Sequence, residues 1–144
     1  MRFWDSSAIA PLLVEEGHSA VVRNLLRRDS GQIVWWGSRI ECLSAIRRRE
    51  REGSLNASAV RTAIELLEEL AASWAEVLPS DAVRHGAERA LAVHPLRAAD
   101  SLQLAAALVW VDGTPAQAEF VCLDGRLRNA ASREGLRAMP IELA

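Results

Sequence analysis

The 144-residue chain contains no lysine: all 17 of its basic residues are arginine. Genome base composition can produce that bias, so the arginine richness alone says little about function. The absence still acts as a filter. It excludes mechanisms that require a lysine, among them phosphoryl-transfer and receiver-type schemes in which the amine steadies a phosphoryl group. Those schemes also want a second acid two residues after the first, where this chain has Ser7. Other absences narrow the field further. The two cysteines, Cys42 and Cys122, have no metal-ligand spacing and read as reduced core thiols. The three histidines, His18, His85 and His94, form neither HxxxH nor HExxH, which argues against zinc. The GxSxG of a serine hydrolase is missing. No apolar run approaches the ~20 residues of a membrane span. The start MRFWDSS lacks a basic region followed by a long apolar stretch, so no signal peptide is expected and the expected location is the cytoplasm. No repeat, low-complexity tract or linker interrupts the chain, which predicts a single domain over 1–144.

What the chain does contain is strand-like and helix-like segments in alternation. Short apolar or β-branched runs at 1–4, 32–36, 75–78, 120–123 and 139–143 read as strands. Helical patterns occupy 8–14, 18–28, 38–52, 56–70, 81–93, 100–111 and 125–134, with Ser38 and Ser80-Asp81 read as helix caps and Gly53 and Gly135 at helix ends. This order predicts an α/β fold: a twisted parallel sheet of four to five strands with helices on both faces.

Four acids stand at the junctions of these segments: Asp5 in FWDSSAIA, Glu41 in GSRIECLSAI, Asp100 in LRAADSLQLAAAL and Asp124 in FVCLDGRL. In an alternating fold, such junctions share one edge of the sheet, the edge where ligands bind. Carboxylates ~5 Å apart repel by about 3 kcal/mol per pair at an effective dielectric near 20, and a divalent cation reverses that sign. Each acid also has an ordinary explanation. Asp5 before two serines is a good N-cap, Asp100 with Gln103 fits a capping box, and Asp124-Gly125 is a turn dipeptide. Glu41 is neither cap nor turn residue, and its ordinary reading is a side chain snorkelling from a helix flank. An all-oxygen ligand set without His or Cys suits Mg²⁺ or Mn²⁺. Arg47, Arg48, Arg49 and Arg51 form a basic run at the end of the Glu41 helix, and Arg126 and Arg128 follow Asp124. They read either as a solvated face or as a patch that positions phosphate. Trp35 and Trp36 read as sheet-core packing, with base stacking by one of them as the alternative.

On these residues the chain resembles the PIN-domain family, in particular the VapC-type ribonuclease toxins of toxin–antitoxin pairs. The likeness covers nearly the whole length: FWDSSAIAPLLVEEGHS, SRIECLSAIRRREREGSL, LRAADSLQLAAAL and VCLDGRLRNAASREGL match the family's successive blocks. It implies that Asp5, Glu41 and Asp100 are metal ligands, with Asp124 as a fourth acid and Ser7 supplying a hydroxyl near metal or attacking water. It implies a Mg²⁺- or Mn²⁺-dependent endoribonuclease, a homodimer, and a VapB-like antitoxin that covers the site. One position departs from the pattern: Cys122 stands where the family often has Thr or Ser, and a thiol is a weaker partner for orienting Asp124. The competing expectation is a non-catalytic PIN-fold module that binds RNA or protein.

Overall fold

The computed structural model describes residues 1–112 and 115–143. Five strands, β1 (Arg2–Trp4), β2 (Gln32–Trp35), β3 (Ala75–Val77), β4 (Glu119–Val121) and β5 (Arg137–Met139), form one all-parallel sheet in the order β3-β2-β1-β4-β5. Among the described residues, seven helices connect them: α1 (Ser6–Leu13), α2 (Ser19–Arg28), α3 (Ser38–Arg51), α4 (Ala57–Ser73), α5 (Asp81–Val93), α6 (Ala98–Trp110) and α7 (Gly125–Arg133). The α/β class and the five-stranded parallel sheet agree with expectation.

Alternation along each strand divides the core in two, because successive side chains point to opposite faces. Phe3, Ile33, Trp35 and Phe120 face α5, α6 and α7, and meet Val83, Ala90, Leu104 and Leu127. Trp4, Val34 and Val121 face α1 to α4, and meet Ile9, Val22, Ile46, Val60 and Leu67. Phe3 and Phe120 are register partners on β1 and β4 and stack with ring centroids 5.5 Å apart. Both sheet faces are therefore covered, which is why β1, β2 and β4 each run on in consecutive apolar residues after a polar first one. Among the described residues, no helix is long and apolar enough to cross a membrane.

Several boundaries differ from the sequence reading, each for a local reason. The last strand is Arg137–Met139, not 139–143. Its pairing with β4 begins at Glu119↔Arg137, and Pro140 has no N–H to carry a ladder further. Ser38 is the first residue of α3 and does not cap it; Gly37 holds the cap position, and the buried Ser38 hydroxyl accepts from Gln103 instead. Helix α6 starts two residues before Asp100, with Arg97 at its cap position. Helix α4 runs to Ser73, carried past Leu70 by Ala71 and Ala72, both strong helix formers.

The sheet order fixes where a site belongs. From β1 the chain winds outward through β2 to β3, then crosses to the other side of β1 for β4 and β5. The winding direction reverses beside β1, and the crevice at the carboxyl ends of β1 and β4 is the switch point at which such sheets bind ligands.

Candidate active site

Asp5 follows β1 directly, and Asp124 lies three residues beyond β4, so the two acids flank that switch point. The strands are held together to their ends by the Asp5 N–H, which donates to Val121 O at 2.9 Å. Glu41 lies in the first turn of α3 and Asp100 in the first turn of α6. All four line one cleft of about 940 Å³, together with Ser6, Ser7, Arg48, Arg49, Arg97 and Arg126. The amino ends of α1, α3, α6 and α7 thus carry the acids. Each helix end brings partial positive charge, worth about 0.3–1 kcal/mol to a nearby anion.

Local hydrogen bonds set each carboxylate. Asp5 is the N-cap of α1: its Oδ2 accepts from Ser7 N–H at 3.1 Å. It is also buried, with 4% exposure. Burial, and then the nearby Asp100 charge, hold its carboxyl above the ordinary 3.8 despite the opposing bonds from Ser7. Glu41 is held from two sides. Ser6 Oγ donates to Oε1 at 3.0 Å, and Gln103 Nε2 donates to Oε2 at 2.8 Å. Its carboxyl too stands above the ordinary value, through burial first and the Asp5 charge second, with Asp100 adding to the rise. Asp5, Glu41 and Asp100 therefore share one electrostatic neighbourhood in which negative charge is already in excess.

The remaining two acids do double duty. Asp124 is the N-cap of α7, its Oδ1 accepting from Leu127 N–H at 3.0 Å. Asp100 sits at the third position of α6 and accepts from Arg97 N–H at 3.3 Å. The expected pairing of Asp100 with Gln103 as a capping box is thus corrected. Asp100 reaches back to residue 97, and Gln103 turns inward to Glu41 and Ser38. Gln103 and Ser6 are site residues that sequence reasoning missed. The signal for Gln103 was a polar side chain within the apolar run LQLAAAL, and capping statistics assigned it elsewhere.

Ser7 lies in the cleft with its hydroxyl engaged, Oγ accepting from Leu123 N–H at 2.9 Å and lying 3.6 Å from Cys122 Sγ. Cys122 Sγ also lies 3.6 Å from Asp5 Oδ2 and 3.6 Å from the Asp124 backbone carbonyl, so the thiol meets the Asp124 main chain and not its carboxylate. That corrects the expectation that Cys122 weakens the placement of Asp124, which the α7 cap sets instead. Of the arginines, Arg48, Arg49 and Arg126 line the cleft as expected, joined by Arg97. Arg47 does not; it pairs with Glu50 at 3.0 Å on the surface. Arg49 is paired with Glu16. Arg128 is a strut, donating to Cys122 O and Pro140 O at 2.9 and 2.6 Å. The tryptophans separate cleanly: Trp35 is buried in the core, while Trp36 is 53% exposed.

Among the described residues, no three His, Cys, Asp or Glu side chains stand as a ready-made set of metal ligands. The caps hold the carboxylates around the cleft without converging them on a point. The donor chemistry nevertheless fits a hard cation, because it is oxygen throughout and its excess charge is unrelieved at Asp5 and Glu41. In comparisons with known proteins, no family profile matches the chain and no curated protein matches it.

Proposed function

We propose that the chain is a metal-dependent endoribonuclease, the toxin of a toxin–antitoxin pair, with the cleft at β1 and β4 as its active site. One observation carries the reading: four acids from separate parts of the sequence line a single cleft at the switch point, with arginines on its walls. Asp5, Glu41 and Asp100 would hold a Mg²⁺ or Mn²⁺ ion, with Asp124 reached directly or through water. The spacing of the acids suits a hydrated cation, since Mg²⁺ keeps several waters through which part of the set would hold it. Bound there, the cation supplies a lowered pKa for an attacking water and neutralises charge on the scissile phosphate. The chain's own groups do the rest. Arg48, Arg97 and Arg126 draw the phosphate backbone towards an otherwise repulsive acidic floor. Trp36 offers an exposed ring for a base. Ser7 lines the cleft beside Asp5, to which its backbone N–H donates. A homodimer, a VapB-like antitoxin laid over the cleft and a cytoplasmic setting are part of the proposal through the family likeness.

The second reading is a PIN-fold module that binds RNA or protein without cutting. Its support is that each of the acids already has a hydrogen-bond partner, so none needs a cation to be satisfied. A cleavage assay separates the two. Purified protein should cut structured RNA with Mg²⁺ or Mn²⁺ and stop in EDTA, and Asp5→Asn or Asp100→Asn should abolish cutting. Full activity in both variants would remove the acids from the chemistry.

A further inference from the structure

Gln103 is a polar side chain with 1% exposure, placed on α6 among Leu104, Ala105, Ala106 and Ala107 of the core. Its amide nitrogen uses both N–H groups, one on Glu41 Oε2 at 2.8 Å and one on Ser38 Oγ at 2.9 Å. Its carbonyl Oε1 is buried and has no hydrogen-bond partner among the described residues. An unmet buried acceptor is destabilising, a cost that a methionine or leucine at this position would avoid. The amide direction has a chemical cause. The NH₂ end donates to a Glu41 oxygen, which accepts, and the carbonyl is left pointing into apolar surroundings.

We propose that Gln103 is a positioning residue that presents the Glu41 carboxyl group to the cleft in one fixed rotamer. The inference rests on the nuclease reading and names a part of its machinery. With Ser6 Oγ on Oε1 and Gln103 Nε2 on Oε2, each Glu41 oxygen has one donor and keeps lone pairs for a ligand. The two donors come from different elements, α1 and α6, so the rotamer is locked by the packing of three helices. Gln103 touches neither cleft nor substrate, since it does not line the cavity. It acts through Glu41 alone, and Ser38 fixes the amide plane from the far side.

The test compares the parent with Gln103→Met, which keeps the volume and deletes the donors. Ser6→Ala removes the opposing donor from a more accessible position, and Ser38→Ala removes only the far anchor. Readouts are Mn²⁺ affinity by electron paramagnetic resonance, the split of kcat from KM for RNA, and thermal unfolding in EDTA. Loss of an outer partner of a metal ligand weakens metal binding by about 10–100-fold. Gln103→Met should therefore bind Mn²⁺ at least about tenfold more weakly and lose kcat with KM little changed. Its unfolding temperature should hold or rise. Ser6→Ala should weaken Mn²⁺ in the same direction, and Ser38→Ala should change it by less than either. If Gln103→Met and Ser6→Ala bind Mn²⁺ as tightly as a parent that binds and cuts, Gln103 is only a buried structural polar group. If Gln103→Met fails to fold, Ser6→Ala alone decides, and parental Mn²⁺ affinity in it overturns the clamp. If the parent itself binds no Mn²⁺ and cuts no RNA, the nuclease reading has failed and the clamp falls with it.

Discussion

Replacing Asp5 by asparagine should make the metal-free protein more stable while destroying activity. Asparagine caps helices about as well as aspartate, so the bond from Ser7 N–H survives on the amide oxygen. What disappears is a charge on a side chain that is 4% exposed. The effective cost of burying an unpaired ion is several kcal/mol. Against this, a hydrogen bond to a charged acceptor exceeds a neutral one by about 1 kcal/mol. The balance favours the variant by about 1–3 kcal/mol near pH 8. For a chain of this length that is a rise in Tm of roughly 3–9 °C.

The pH dependence carries a definite sign. Burial raises the folded carboxyl above its ordinary 3.8. Below that value both states of the parent are protonated, and the variant has no charge advantage. As pH rises, the unfolded chain releases its proton first, and the parent loses about 1.4 kcal/mol per pH unit until the folded midpoint is passed. The gap in Tm should therefore open above about pH 4 and then level off. Mn²⁺ at a hundred times its Kd stabilises the parent by about 2.7 kcal/mol and the ligand-deficient variant by much less, so the order inverts. Differential scanning fluorimetry in EDTA and in Mn²⁺ across pH 4–8 reads all of this. A variant several degrees less stable than the parent in EDTA would mean that the fold needs the Asp5 charge as a cap. An order unchanged by Mn²⁺ would refute the cation.

Asp100→Asn removes both a first-turn charge favourable to α6, worth about 0.3–1 kcal/mol, and a repulsion felt by Asp5 and Glu41. Unfolding in EDTA should leave its stability unchanged or raised, and a large loss would restore the capping role as its main one. The thiols should be inert in the native state, because burial pushes Cys42 up to about 12 and Cys122 further still. Ellman's reagent at pH 8 should label neither until denaturant is added, and rapid labelling of native protein would contradict the packing. Arg126→Ala should raise KM with little effect on kcat and lower the salt slope of RNA binding by about one. An unchanged slope would remove Arg126 from the phosphate track.

How much of this was legible in the sequence depends on the range of the interaction responsible. The class and the sheet were readable because strand and helix patterns are local, and β1, β2 and α5 appear nearly where propensity places them. The four acids were readable because junction residues of a parallel sheet share an edge whatever the strand order. Strand order itself, and hence the switch point beside β1, has no local signature. The failures share one cause. Ser38 and Gln103 were assigned to caps on local statistics, yet they bond each other across 65 residues and complete a network with Glu41. Arg47 and Arg48 are sequence neighbours, but one lies on an exposed flank and the other in the cleft, a difference that only the rotation of α3 against α1 decides.

Capping and ligation are therefore not rival explanations of these acids. An N-cap carboxylate spends one lone pair of four on the backbone, so Asp5 and Asp124 can hold a helix end and still face a cation. The cap does what a binding site needs: it fixes the rotamer before any ligand arrives, using bonds the helix requires anyway. It also limits the approach of the acids to one another, since each is tied to its own helix. That accounts for a cleft in which charge is concentrated without the carboxylates meeting at a point. Asp100 and Glu41 are not N-caps, and each takes its placement from other hydrogen bonds. Of these, only Glu41 is held by side chains from other helices, so the alignment of α1, α3 and α6 controls the geometry of the site.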